Sequence, residues 1–335
     1  VAVRPGEEKI VINSGMKLIF VFLDGVGLGE KTLSNPFFQS PMKRLKKEFG
    51  IEFFLENATL SHPEIFFKPI DPSGKVEGLG QSGTGQFSIY TGLNGPELLG
   101  RHHGPFLPSG LKTTLFEHNI FKKLKALNRS ACYANAFPDR FIETCKVLRE
   151  NGKIRSSVLF EAAILENVHL RHAGDLKQKQ AVSGDIINHW WGVNEKDGDR
   201  EIYEIPPEEA AQNLLALAEK YDAVFYEYFH TDLCGHGRIQ ATSEMILDRL
   251  DGFLTELFLH KNEDTLVILT SDHGNFEESA HLRHTSNPVP LLVVGKHNHA
   301  FKHAEHIHDI VPAYLKILKE KIEENIEGCE SIKVA

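Results

Sequence analysis

Between Thr265 and Glu278 the chain reads TLVILTSDHGNFEE. Leu266 to Leu269 form an apolar, partly β-branched run that stops abruptly at Ser271-Asp272-His273-Gly274. A run with no polar position has no face to give to water, so it predicts a strand buried on both sides of a sheet. Lys17 to Leu23, KLIFVFL, follows the same plan and ends on Asp24 in LDGVGLGE. Ala223 to Phe229 also reads as a strand, ahead of His230-Thr231-Asp232-Leu233-Cys234-Gly235-His236-Gly237. In open α/β sheets ligands bind at the carboxyl ends of the strands, and Asp with His offers a hard oxygen and a borderline nitrogen to a divalent metal. Each motif alone is equally a capped turn, and the weight lies in their recurrence.

At 335 residues the chain is long for one domain and short for two, which predicts a main domain carrying a smaller insertion. The regular segments lie at 17–97 and 206–320, and these are the expected core. The span 98–205 is the least regular and is the candidate inserted cap, with helices expected at Leu115–Leu127, Ser157–Glu166 and Ser183–Trp191. Within the core, Pro41–Phe49 predicts a short helix and Ile65–Ile70 a strand. Pro206-Pro207-Glu208-Glu209 opens a helix well, and Met245–Leu259 has an amphipathic period. Residues 1–16 show no periodicity and are expected to be a flexible leader.

The formal net charge of −9, without a basic run, speaks against nucleic acid as a partner. Leu18–Leu23 is too short to span a bilayer and no signal-peptide pattern precedes it, so a cytoplasmic protein without a membrane partner is expected. Cys132, Cys145, Cys234 and Cys329 lack zinc-type pairing and suit a reducing compartment.

Gly78 to Gly95, GLGQSGTGQFSIYTGLNG, is the other chemically informative stretch. A Walker loop is excluded because Gln86 stands where its lysine belongs. A Rossmann loop starting at Gly25-Val26-Gly27 is the lesser reading, because Glu30 stands where its last glycine belongs and Asp24 where pyrophosphate would approach. What remains is a glycine-rich turn into a helix whose first turn holds Ser82 and Thr84. A hydroxyl there suits an anion, or equally serves as a cap. Further on, His281 and His284 compete for one position before Asn287-Pro288-Val289-Pro290. The histidine-rich stretch from His297 to His308 straddles a loop and a helix start without an acidic box and is expected to be a solvated surface segment. Arg101, His102 and Arg140, in the irregular span, are candidate contacts to a substrate anion.

FLDGVG, QSGTGQ, TDLCGHG, TSDHGN and RHTSNPVP, in this order, resemble the metal-binding phosphatase domain of the alkaline phosphatase superfamily. Among its members they are most similar to phosphoglycerate mutase of the 2,3-bisphosphoglycerate-independent kind, to phosphopentomutase and to stand-alone metalloenzyme-domain proteins. The resemblance covers roughly Lys17 to Thr91 and Tyr221 onward. It implies an α/β, alkaline-phosphatase-like three-layer sandwich, with a mostly parallel sheet, helices on both faces and a small inserted cap. It further implies two divalent metal ions, Mn2+ or Zn2+, with Mg2+ as an alternative. Asp24, Asp272 and His273 would hold one ion, joined by Ser82 as nucleophile, and Asp232, His236 and His284 the other. His284 is chosen over His281 because it directly precedes Thr285, as in the family. Thr84 is the lesser candidate for the nucleophile.

The implied activity is a metal-dependent phosphohydrolase of a small phosphorylated metabolite working through phosphoserine. An intramolecular phosphotransferase is the first alternative and a catalytically silent metal-binding protein the second. Two departures weigh against a glycolytic mutase: the inserted span is too short for the mutase's second domain, and Gln86 replaces the mutases' histidine. The residues around Ser82 lack the Pro and Arg of a sulfatase signature.

Overall fold

A computed structural model of the chain describes residues 15–193 and 201–333, so residues 1–14 of the expected leader lie outside the described part. The strands are β1 (Lys17–Leu23), β2 (Ser61–His62), β3 (Ile65–Ile70), β4 (Ala131–Tyr133), β5 (Asn135–Ala136), β6 (Val182–Ser183), β7 (Ala223–Tyr228), β8 (Thr265–Thr270) and β9 (Val289–Val294). Seven of them form one sheet in the order β2-β3-β9-β8-β1-β7-β4, while β5 and β6 pair by themselves. β8, β1, β7 and β4 run parallel; β9 is antiparallel to both β8 and β3, so β3 points the same way as the central four. The sheet is thus mostly parallel, with its antiparallel strands toward one edge.

The apolar runs explain the layering. Along β1 the side chains alternate between two cores: Ile19, Val21 and Leu23 enter one, Leu18, Phe20 and Phe22 the other. On the first face lie helices Pro207–Lys220 and Ser243–His260. The former opens with Pro207 and acids Glu208 and Glu209 and ends on Lys220, all favourable to its dipole. The latter is capped by Thr242, whose side chain accepts from the Met245 N–H at 3.3 Å, and it buries Leu250, Phe253, Leu254 and Leu257. On the second face lie helix Ser82–Thr91, the helices between 112 and 166, and Ile310–Lys333. No helix of the described residues is long and apolar enough to cross a membrane.

Residues 98–205 are not a body apart from the sheet. β4 is hydrogen-bonded along β7, and Leu115, Phe121, Leu124 and Phe160 enter the second core. The helix expected over Leu115–Leu127 is two helices, Lys112–His118 and Ile120–Ala126. Asn119 divides them because its extended backbone ends the first and its side chain caps the second, accepting from Lys122 N–H at 2.9 Å. The helix expected over Ser183–Trp191 is confined to His189–Val193, since Ile186 and Asn188 adopt positive φ of 71° and 62°. Helix Asp139–Glu150, which the sequence reading missed, starts after Pro138 and buries Ile142 and Cys145.

Candidate active site

Three adjacent parallel strands deliver most of the candidate ligands to one edge. Leu23 is level with Tyr228, and Phe22 with Thr270, so β1, β7 and β8 end together. Asp24 follows β1, Asp272 and His273 follow β8, and Asp232 lies on the short helix His230–Gly235 after β7. β9 runs the opposite way, so the loop leading into it, with His284, begins at the same edge. β3 ends there too, and the chain after it returns as helix Ser82–Thr91 with Ser82 as its first residue. The glycines of this helix serve close approach: a methyl on Gly85 would sit 2.8 Å from Asp272 Cβ and 3.0 Å from the Asp272 carbonyl oxygen.

Ser82 Oγ lies 3.1 Å from His273 Nε2, which is itself 3.4 Å from Asp24 Oδ1 and 3.7 Å from Asp272 Oδ1. Asp24, Asp272 and His273 form one group whose donor atoms all lie within 4.8 Å of one another; Asp232, His236 and His284 form a second. The groups adjoin, for the rings of His273 and His284 stack with centroids 3.8 Å apart. His284, not His281, joins the second group.

Tautomers can be deduced in the second group. His236 Nδ1 is 2.8 Å from the Leu282 carbonyl oxygen and His284 Nδ1 is 2.8 Å from that of Gly80. A carbonyl only accepts, so His236 Nδ1 carries the proton. His284 Nδ1 also meets Gln81 Nε2 at 3.1 Å, but its shorter contact to the Gly80 carbonyl assigns it the proton too. In a neutral ring each Nε2 then presents a lone pair. Those two Nε2 atoms are 3.1 Å apart, and His236 Nε2 is 3.3 Å from Asp232 Oδ1. Lone pairs facing one another at such distances repel. Asp24 Oδ1, Asp232 Oδ1 and Asp272 Oδ2 are also buried without a hydrogen-bond partner. A divalent cation in each group turns this repulsion into attraction, so the residues fit a pair of metals.

The proton equilibria express the same crowding. Burial, then the charges of Asp272 and Asp232, push the Asp24 carboxyl well above the usual range. Burial pushes Asp272 up to about 6, opposed by the hydrogen bond from the Gly25 N–H. Burial brings His273 down to about 4, and burial with the neighbouring His273 lowers His284. Both histidines therefore stay neutral near pH 7, the form in which imidazole binds a metal.

A cavity of about 570 Å³ opens over Asp24, Ser82 and Asp232. Its cationic side chains are Arg155 and Arg238, which the sequence reading did not single out. Arg238 closely follows His236 and could have been found by that proximity; Arg155 carries no such signal. Arg101, His102 and Arg140 do not line the cavity, and His102 instead donates through Nε2 to the Val76 carbonyl at 3.1 Å. Thr84 is buried, with its hydroxyl bonded to the loop carbonyls of Gln81 and His103, which favours Ser82 as the reactive oxygen. Gln86 does line the cavity, its Oε1 accepting from the Val158 N–H at 3.2 Å.

Two buried acids were also missed. Glu227, the one charge inside the β7 run, accepts from Tyr90 and Ser157 hydroxyls at 2.8 and 2.7 Å and from Tyr133. Glu277, four residues past His273, ties together the loops that carry Asp24 and His284. Among the described residues, His297–His308 adds no further donor group. His306 and His308 are half-buried rather than free in solvent, with His306 bonded to Asp71 at 2.9 Å and stacked on His308.

Residues 202–322 match the model of the Metalloenzyme superfamily. The chain is 31% identical over 140 residues to a 2,3-bisphosphoglycerate-independent phosphoglycerate mutase of Serratia proteamaculans (strain 568), covering 38% of this chain and 27% of the mutase. A protein of the same name from Legionella pneumophila (strain Corby) is 36% identical over 132 residues, covering 35% and 25%. The match thus spans about a quarter of the length of these relatives. Among solved structures, the PH0037 protein from Pyrococcus horikoshii superposes with a TM-score of 0.51 at 15% identity, over 92% of this chain and 97% of that one. The fold is shared across nearly its whole length. Residues 202–322 are thus similar to the Metalloenzyme superfamily, and they form part of an α/β fold with a mostly parallel sheet and helices on both faces.

Proposed function

We propose that the protein is a two-metal-dependent phosphohydrolase that acts on a small phosphorylated metabolite through a phosphoserine at Ser82. The observation that carries this reading is the 3.1 Å approach of Ser82 Oγ to His273 Nε2, beside two groups of buried acids and imidazoles. Asp24, Asp272 and His273, joined by Ser82, would hold one ion, and Asp232, His236 and His284 the other. Bound divalent ions lower the pKa of a hydroxyl and offset negative charge on phosphoryl oxygens. The mix of carboxylate and imidazole suits Mn2+ or Zn2+, with Mg2+ as the harder alternative.

The remaining work falls to the chain itself. Ser82 is the first residue of a ten-residue helix, so an anion at its oxygen meets the positive end of the dipole. Ser82 Oγ bonds to phosphorus, the ester P–O bond breaks, and the leaving alkoxide takes up the proton that Ser82 gives up. Water then cleaves the phosphoserine to free phosphate and restores the hydroxyl. Arg155 and Arg238, lining the cavity, are the cations available to an anionic substrate. The resemblance to phosphoglycerate mutases favours a second reading, in which a retained product takes the phosphoryl group back on another hydroxyl.

A panel of phosphate esters assayed with Mn2+, Zn2+ or Mg2+ tests both readings. Free phosphate is expected from the wild type, falling by about a thousandfold or more in Ser82→Ala, since nucleophile loss removes the covalent route. Turnover unaltered by that substitution would remove Ser82 from the mechanism. An isomerised ester without free phosphate would select the transferase.

A further inference from the structure

We infer that the substrate is a phosphomonoester with an apolar body, such as an alkyl or aryl group, rather than a sugar or polyol phosphate. This rests on the phosphoryl-transfer reading above and deepens it by naming the leaving group. The cavity over Ser82 is walled largely by Phe106, Phe137, Phe141, Phe160, Trp190 and Phe229. Its rings brace one another: Phe137 and Phe141 stack at 5.5 Å, and Phe160 meets them edge-on at 5.0 and 5.5 Å. Phe141 and Trp190 are 37% and 42% exposed, large apolar surfaces left open at the mouth of a site that is acidic at its base.

Apart from Arg155 and Arg238, several polar atoms of the wall are already engaged. Among the described lining residues, the Ser156 hydroxyl donates to Glu161, the Ser157 hydroxyl donates to Glu227, and Gln86 Oε1 accepts from Val158. Hydroxyls of a sugar entering here would leave water for a wall with few free partners, which is unfavourable. A hydrocarbon body loses nothing by the same move and gains the area it covers. Arg155 sits over the Phe106 ring at 5.2 Å, so even one of the two guanidiniums presents an aromatic-backed surface. At about 570 Å³ the cavity has room for a phosphate and a medium-sized body.

The test uses the full-length protein loaded with Mn2+ and a series of n-alkyl phosphates from methyl to hexyl, whose leaving-group acidities are nearly equal. The value of kcat/KM, read as phosphate release, is expected to rise about three- to fourfold per methylene, with glycerol 3-phosphate well below butyl phosphate. In Phe141→Ala and in Trp190→Ala, both at the exposed mouth, the hexyl-to-methyl ratio is expected to fall about tenfold. A flat series, or a preference for glycerol 3-phosphate, overturns the inference. A binding readout separates this from failure of the hydrolase reading: n-alkylphosphonates titrated against tryptophan fluorescence should bind about three- to fourfold tighter per methylene whether or not any ester is cleaved. Equal affinity along that series overturns the apolar site. Absence of phosphate release from every ester, with the graded affinity retained, overturns the hydrolase reading alone.

Discussion

Glu277 Oε2 accepts a hydrogen bond from the backbone N–H of Gly27 at 2.9 Å, across 250 positions of sequence. The same carboxylate accepts from Asn275 N–H at 2.9 Å, Asn287 Nδ2 at 3.0 Å and the Thr285 hydroxyl. One buried charge thereby fixes three loops: the one after β1 with Asp24, the one after β8 with Asp272 and His273, and the one before β9 with His284. Replacing it by alanine leaves several buried donors without an acceptor. We expect Glu277→Ala to lose about 2–4 kcal/mol of stability and about 10- to 100-fold in metal affinity, with Glu277→Gln between it and the wild type. Denaturant melts and metal titrations check both; wild-type metal affinity in Glu277→Ala would deny the residue this positioning role.

The two donor groups predict separable metal losses. Wild type is expected to bind two divalent ions per chain, and Asp272→Asn and His236→Ala one each, retained at different positions. Metal analysis after gel filtration measures the count, and anomalous diffraction the position. Loss of the same ion in both variants would contradict the grouping.

Gly83 tests how closely the cavity wall holds the nucleophile. A methyl there would lie 2.1 Å from the Phe106 carbonyl oxygen and 2.8 Å from that of His103, both backbone atoms beside Ser82. Gly83→Ala should cost about 1–3 kcal/mol and reduce phosphate-ester turnover. Gly184→Ala is the control, since nothing lies within 4 Å of its added methyl. Equal melts for the two variants would argue that the loop yields freely.

Glu227 predicts a pH dependence. Burial raises its pKa from 4.5 to about 7, opposed by the hydrogen bonds from Tyr133, Ser157 and Tyr90. A carboxyl with a folded-state pKa above its unfolded value binds its proton more tightly in the native state. The associated stability is full below about pH 4.5 and is lost as pH rises through about 7. Between pH 5 and pH 8 the wild type should therefore lose roughly 2–3 kcal/mol relative to Glu227→Gln, which does not titrate. Denaturation of both proteins at the two pH values measures it, and parallel profiles would show that Glu227 is not perturbed.

How far the sequence could be read varied with the range of the forces involved. β1 and β8 were legible because a nearly continuous apolar run bounded by turn residues has few other solutions, and β3 because its apolar residues stop at the turn residues of Asp71-Pro72-Ser73-Gly74. β4 was not, because three residues carry no period and its place is set by pairing with β7. Helix Asp139–Glu150 was missed although Ile142, Cys145 and Leu148 recur at helical spacing; only Ile142 and Cys145 of its twelve residues are buried, and charged residues dominate the rest. Glu227 did leave a trace, as the single charge within AVFYEYF, and its meaning waited on the tyrosines that reach it from other elements.

What the chain alone determined is the set of strand-and-acid units, because hydrophobic burial dictates the strand and the residue after it must then stand at an edge. Asp24, Asp232, Asp272 and His273 could be placed at one sheet edge at that level, whereas His284 was preferred over His281 through the family resemblance, because it directly precedes Thr285. The choice of cavity wall was decided only by the tertiary structure. Phe106, Phe137, Phe141, Arg155 and Trp190 come from separate turns and helices of 98–205, and none bears a local mark of facing Ser82. Their convergence depends on how that span packs against the sheet through β4 and the second core. Such packing energy is spread over many distant contacts and is written at no single position.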